Sequence, residues 1–173
     1  EIGVYREDAE SSVSNLGSRD YMQRLYKTGE VQVTDAFLAG ADGKTINYTV
    51  AVAIKEDGKV TGALFAAIYG EEIDEYLQEN RYVANVLVGS QLQYMGGIPE
   101  DQFGLAVAQV LESERKTTRP VENILVDFNE QRSGSFWSLW SHIEYAAYSP
   151  VEGTDWVVMT QVQAIPLIQN ILI

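Results

Sequence analysis

The stretch Ile46–Tyr69, INYTVAVAIKEDGKVTGALFAAIY, leaves this chain fewer ways to fold than any other. Two apolar runs rich in Val, Ile, Ala and aromatic residues flank Lys55–Lys59, and the Asp57-Gly58 step inside is a strong short hairpin signal. An antiparallel strand pair is therefore expected here, Ile46–Ile54 against Val60–Tyr69. Ala51, Ala53, Gly62, Ala63, Ala66 and Ala67 are weak strand formers. They fit a sheet face that leaves room for something, either a packed helix or a ligand.

Composition narrows the functional classes. At 173 residues, 46% hydrophobic and 21% charged, the chain reads as a globular protein with one good core or two small ones. A net charge of −13 with only 12 Lys and Arg argues against a nucleic-acid partner, because phosphate binding needs clustered cations. A single histidine, His142, and no cysteine remove zinc clusters, thiol catalysis and Ser-His triads. No cofactor is implied. The first residue is Glu1 and no signal peptide follows, as in an excised fragment. The apolar run Ala164–Ile173 is shorter than the roughly 20 residues a bilayer requires. It reads either as a terminal amphipathic helix or as the start of a helix leading to a membrane segment.

Taken in order, Ile2–Arg6 is a short strand, and a helix capped by Ser18 or Asp20 runs to Tyr26 and is ended by Gly29. Val31–Leu38 (VQVTDAFL) alternates as a strand does, Gly40–Gly43 turns the chain, and the hairpin follows. Glu71–Asn80 is a helix with acids in its first turn. Val83–Val88 and Gln91–Met95 then read as strands. From Asp101 to Lys116 the residues Phe103, Val107, Val110 and Leu111 recur at helical spacing. Val121–Phe128, Phe136–Ser149 and Trp156–Val162 complete the chain as strands. The second half thus repeats the element order of the first, with a boundary near the Glu71–Asn80 helix. One larger antiparallel sheet with helices on one face is the alternative.

Arg19-Asp20-Tyr21-Met22, Gly29, the strand VQVTDAF, the pair TVAVAI–KEDGKV–TGALFAAI and the segment Tyr145–Trp156 together resemble the Cache family. These are the extracytoplasmic, PAS-like sensor domains of bacterial chemoreceptors, histidine kinases and cyclic-dinucleotide enzymes. The resemblance runs from Arg19 to Val162 and rests on order and spacing. It implies the double-Cache form: an α+β fold of two PAS-like modules, each an antiparallel sheet with flanking helices. Residues 1–78 would form the membrane-distal, ligand-binding module and residues 79–173 the membrane-proximal one. The long N-terminal helix of the family has no counterpart in the chain.

In the family's amino-acid-binding members an arginine fixes the ligand carboxylate, and an aspartate on the last strand of the distal module fixes its ammonium. Here the arginine matches Arg19 and the next aromatic Tyr21. Met22 replaces the following aromatic, Phe37 the strand tyrosine, and Ala66 or Ala67 the aspartate. The ligand-contact set implied is Arg19, Tyr21, Met22, Phe37, Tyr48, Phe65, Ala67 and Tyr69. With its cation-binding half gone, the set suits a small polar molecule or a carboxylate without an amine.

Plainer roles stand beside these. Arg19 also fits a surface ion pair with Asp20 or Asp35. Tyr48, Phe65 and Tyr69 also fit a sheet core, and Trp137, Trp140, Tyr145 and Tyr148 the core and cover of the second module. Trp156 fits the base of that module, and His142 a satisfied structural side chain. Catalysis would have to use acids such as Asp35, Asp127, Glu144 or Asp155, and no nucleophile motif, metal spacing or phosphate loop accompanies them. The expectation is therefore a non-enzymatic domain that senses a small molecule outside the cytoplasm. It would be tethered to a membrane in the full-length receptor, with a second copy of itself as a further partner. The rival is a non-sensing structural or interaction domain whose small-residue sheet packs on a helix.

Overall fold

The computed structural model describes residues 2–4, 12–14, 16–38, 43–78, 83–114, 116–139 and 143–164. Arg6, the turn residues before Gly43, the expected helix end at Asn80, Trp140, His142 and the apolar run from residue 165 lie outside them. By compactness the chain divides into two units, Glu1–Thr34 with Asn47–Ile68, and Asp35–Ile46 with Tyr69–Ile173.

In the first unit β1 (Ile2–Val4) and β2 (Ser12–Ser14) pair antiparallel. Helix α1 (Asp20–Thr28) follows, with Asp20 in its first turn and Lys27 in its last, both suited to the helix dipole. Gly29 ends it in the left-handed conformation, donating its N–H to the Leu25 carbonyl. Met22 and Leu25, three residues apart on one helix face, are buried. β3 (Gln32–Val33) lies antiparallel on β5 (Ile46–Glu56), with Gln32 opposite Ala51 and Val33 opposite Val50. Thr34 extends this pairing: its N–H donates to the Thr49 carbonyl and its hydroxyl accepts from the Thr49 N–H, both at 2.9 Å.

β5 pairs with β6 (Lys59–Tyr69) as the hairpin signal predicts. Asp57 and Gly58 have φ of 49° and 77°, the two left-handed residues that a type I′ turn requires. The alternating run Val31–Leu38 does not form one strand. It breaks after Val33 and resumes only as β4 (Phe37–Leu38), because Asp35 turns aside to accept three hydrogen bonds inside the second unit.

The second unit carries α2 (Gly70–Leu77), β7 (Val83–Val88), β8 (Tyr94–Gly96), α3 (Val107–Glu114), β9 (Lys116–Thr117), α4 (Val121–Asn129), β10 (Gly134–Leu139), β11 (Ile143–Pro150) and β12 (Val157–Gln163). Its six-stranded antiparallel sheet runs β8-β7-β12-β11-β10-β9 and shares no strand with the hairpin's sheet. The fold class is therefore α+β with antiparallel sheets. The core forms where Val107 and Leu111 of α3 and Ile124 and Phe128 of α4 meet Val86, Phe136, Tyr148 and Met159 of the sheet.

Three expectations need correction here. Val121–Phe128 is a helix: Val121, Ile124, Leu125 and Phe128 follow the i, i+3, i+4, i+7 spacing, and this burial pattern overrides the strand propensity of Val, Ile and Phe. The helix expected from Asp101 shortens to α3, because the chain first makes a 3₁₀ turn at Glu100–Gln102 and then a left-handed residue at Gly104. Gln91–Met95 begins as a turn with Leu92 at φ 56°, so pairing starts only at Tyr94. Of the aromatics read as core and cover, Tyr148 is core, while Trp137 and Tyr145 lie on the outside of the sheet. They pair directly across β10 and β11, 4.9 Å apart between ring centroids, on the exposed face of the sheet.

α4 is tied to the sheet by Asp127, which accepts from the Tyr148 hydroxyl at 2.5 Å and from Arg119 at 2.8 Å, while Arg132 adds an ion pair at 3.0 Å. Burial, followed by its hydrogen bond to Asp127, pushes the Tyr148 phenol up to about 12. A raised phenol stabilises the fold in full below its unfolded value near 10, and that contribution is lost as pH rises through about 12. Tyr148→Phe keeps the ring but removes the donor. It should lower stability at neutral pH by about 1–2 kcal/mol in urea unfolding. It should also remove the ionisation near pH 12 that belongs to Tyr148 from an alkaline absorbance titration.

Candidate functional site

The predicted contact residues divide between the two units. In the first, Arg19 is exposed and occupies the N-cap position of α1 in an extended conformation, without a capping bond from its side chain. Tyr21 is half-buried one turn-start further on. Burial raises its phenol above the ordinary value of 10, and the positive charge of Arg19 opposes that rise. The charge of Arg19 thus reaches the Tyr21 phenol. Met22 and Tyr48, 0% and 1% exposed, belong to the interior. On β6, Phe65 is half-buried, and Ala66 and Ala67 are exposed, small and uncharged. Phe37 and Tyr69 fall in the second unit.

Tyr69 opens a site that sequence reasoning missed. With Lys44, Thr45, Ile46, Gly70, Glu71, Asp74, Met95, Gly96, Ile98 and Phe103 it lines a cavity of about 690 Å³ within the second unit. This is in the range of small-molecule sites. Glu71 and Asp74 lie three residues apart on α2 and so share a helix face. Asp74 accepts the Gly97 N–H at 2.6 Å, which fixes its carboxylate. Gly97 has φ 71°, and a Cβ there would collide with the Asn85 carbonyl oxygen, so only glycine brings this N–H to Asp74. The amide of Asn85 in turn donates to the Leu77 carbonyl at 2.8 Å and accepts from the Thr160 hydroxyl at 2.8 Å. The wall behind the cavity is thus held by bonds from α2, β7 and β12. Acids in the first turn of α2 were the one signal visible in advance.

Two of the four acids that a catalytic reading would recruit, Asp35 and Asp127, are engaged structurally. Asp35 accepts from the Ser90 N–H at 3.1 Å, the Ser90 hydroxyl at 2.7 Å and the Trp156 indole at 2.8 Å. Asp127 is held as described above. Among the described residues no group of three or more His, Cys, Asp or Glu could hold a metal ion, and no helix is long and apolar enough to cross a membrane.

No family model and no curated protein matches this chain. Solved structures do match. One is the extracellular domain of a protein described as a histidine kinase, with a TM-score of 0.73 at 16% identity over 95% of this chain and 60% of that one. The ligand-binding domain of the Pseudomonas fluorescens chemoreceptor CtaA, in complex with L-isoleucine, gives 0.68 at 11% identity over 91% and 62%. The ligand-binding domain of the Pseudomonas aeruginosa amino-acid chemoreceptor PctB, in complex with L-Arg, gives 0.65 at 14% identity over 96% and 66%. The likeness is one of fold: antiparallel sheets with few helices, as in PAS-like extracellular sensor domains. The chain spans about three fifths of the length of the first structures it matches.

The influence of the Arg19 charge on Tyr21 is directly measurable. Removing a cation beside a phenol removes a stabiliser of the phenolate. Arg19→Ala should therefore move the Tyr21 ionisation to still higher pH in an NMR titration of its ring, while the other tyrosines stay in place.

Proposed function

We propose that this chain is the extracytoplasmic small-molecule-sensing part of a bacterial transmembrane signalling receptor, of the histidine kinase, diguanylate cyclase or chemoreceptor kind. In this reading it has the two-module Cache organisation, with residues 1–78 as the distal, ligand-binding module and residues 79–173 as the proximal one. The solved structures that share its fold support the reading: one is described as the extracellular domain of a histidine kinase and two as ligand-binding domains of chemoreceptors. The observation that carries it is the exposed Arg19 at the start of α1, with the half-buried Tyr21 two residues on. An exposed guanidinium stands at the head of α1 beside a half-buried aromatic ring, where a planar fork can take a carboxylate in two parallel hydrogen bonds.

The ligand class follows from what is missing. An α-amino acid needs an acceptor for its ammonium group, and Ala66 and Ala67 offer none. A small carboxylate or another polar molecule without an amine fits Arg19, Tyr21 and Phe65 better. Met22, Tyr48 and Ala67, in the same unit, complete the proposed contact set. Binding there would favour one arrangement of the chain over another, which is all that a sensor has to do. Membrane tethering and a second copy as partner belong to the same reading.

Calorimetry and thermal-shift measurements with acetate, lactate, pyruvate, succinate and the common L-amino acids test it. At least one simple carboxylate should bind, and at a hundred times its dissociation constant it should add about 2.7 kcal/mol of stability. The amino acids should show no low-micromolar affinity. Arg19→Ala should weaken the carboxylate by about 1.5–3 kcal/mol, the worth of a charge-assisted hydrogen bond. If no carboxylate binds, or if Arg19→Ala changes nothing, the non-sensing structural domain is the better account.

A further inference from the structure

We infer that the cavity bounded by α2, β8 and the ends of the hairpin strands is a second binding site, for a small organic cation: an amine carried on an apolar body. The inference is independent of the carboxylate reading, since none of the α1 residues lines this cavity.

Two sets of side chains meet in it. Ile46, Met95, Ile98 and Phe103 supply apolar wall, which suits a hydrocarbon or aromatic body. Glu71 and Asp74 supply negative charge from one face of α2. The helix has no basic residue in its last turn to neutralise them, and its sequence GEEIDEYL contains none at all. Among the described lining residues Lys44 is the one cation, so two carboxylates outnumber one ammonium and the balance favours a positively charged guest. Asp74 is also aimed in advance. Its Oδ1 accepts the Gly97 N–H, which fixes the rotamer and leaves Oδ2 able to accept from a ligand ammonium. Because Gly97 and Asn85 are themselves locked, the carboxylate does not have to be ordered at the moment of binding. The protein's net charge of −13 raises the local concentration of any cation further.

Three probes with one aromatic body and different heads separate the charge effect from the apolar one: phenethylamine, 2-phenylethanol and phenylacetate. Each is titrated into the chain while backbone amide shifts are followed by NMR. Phenethylamine should shift the amides of Tyr69–Asp74 and Gly96–Ile98 along a saturable curve, more tightly than the alcohol and much more tightly than the acid. Glu71→Gln with Asp74→Asn should weaken phenethylamine about tenfold, to the level of the alcohol, as expected for loss of a charge-assisted hydrogen bond. Asp74→Asn keeps the acceptor for Gly97. Should it still disturb the fold, Glu71→Gln alone, at an exposed position, carries the test with a smaller drop in the same direction. Arg19→Ala should leave phenethylamine binding unchanged, so failure here and failure of the carboxylate reading are separate results. Equal affinity for the amine and the alcohol, shifts scattered away from the cavity, or no effect of the Glu71 and Asp74 variants would overturn the proposal.

Discussion

A carboxylate buried under a helix has to be met by donors, and the donors that meet Asp127 decide how the helix layer of the second unit sits on its sheet. Tyr148 reaches it from β11, Arg119 from the residue before Pro120 and α4, and Arg132 from the turn after α4. Sheet, helix start and helix end are thus fixed to one group. The Tyr148 ring stacks edge-on against Phe128 at 4.9 Å, so the polar tie and the apolar core share a side chain. Gly134 is part of the same device: a Cβ there would run into the Tyr148 hydroxyl and lie 3.0 Å from Arg119. The bond from Tyr148, then that from Arg119, holds the Asp127 carboxyl below the usual carboxylate range. A depressed carboxyl stabilises the fold in full above its unfolded value near 4, and that contribution is lost as pH falls toward the folded value.

A second carboxylate sets where the chain changes unit. Asp35 lies inside a run that alternates as a strand does, yet three donors from Ser90 and Trp156 outweigh one more rung of ladder. Hydrogen bonds to a charged acceptor are each stronger than a neutral backbone pair, so the strand yields. Residues 35–46 consequently belong to the second unit, although the residues on either side belong to the first. β5 begins at Ile46 and β6 ends at Tyr69, and both of these residues line the acidic cavity.

What could be read from the sequence was what local chemistry determines. Asp57-Gly58 has few conformations open to it between two apolar runs, and Gly29 ends a short amphipathic helix for the same kind of reason. The misreadings came where two local rules disagreed. In VENILVDF the β-propensity of the residues pointed one way and their spacing the other, and the packed core of the second unit settled it. The cavity was out of reach for a different reason. Its walls come from Lys44–Ile46, Tyr69–Asp74, Met95–Ile98 and Phe103, which nothing short of the fold brings together. The roles of Asp35 and Trp156 were hidden in the same way, by a hydrogen bond across 121 positions.

The two proposed sites differ in sign, and the field of the whole molecule treats them differently. At −13 the chain repels an anion at long range, so a carboxylate site depends on local positive charge; Arg19 supplies it, and Asp20 beside it subtracts from it. A cation approaching Glu71 and Asp74 has the global field in its favour and, among the described lining residues, meets only Lys44 against it. Salt at 0.1 M screens charges beyond about 10 Å and leaves short, partly buried contacts less affected. Added salt should therefore weaken a cation at the cavity, because there the long-range and local attractions have the same sign. At Arg19 the two oppose each other, so a carboxylate's affinity should respond far less. The same ionic-strength series thus separates a site supported by the whole protein's charge from one that works against it.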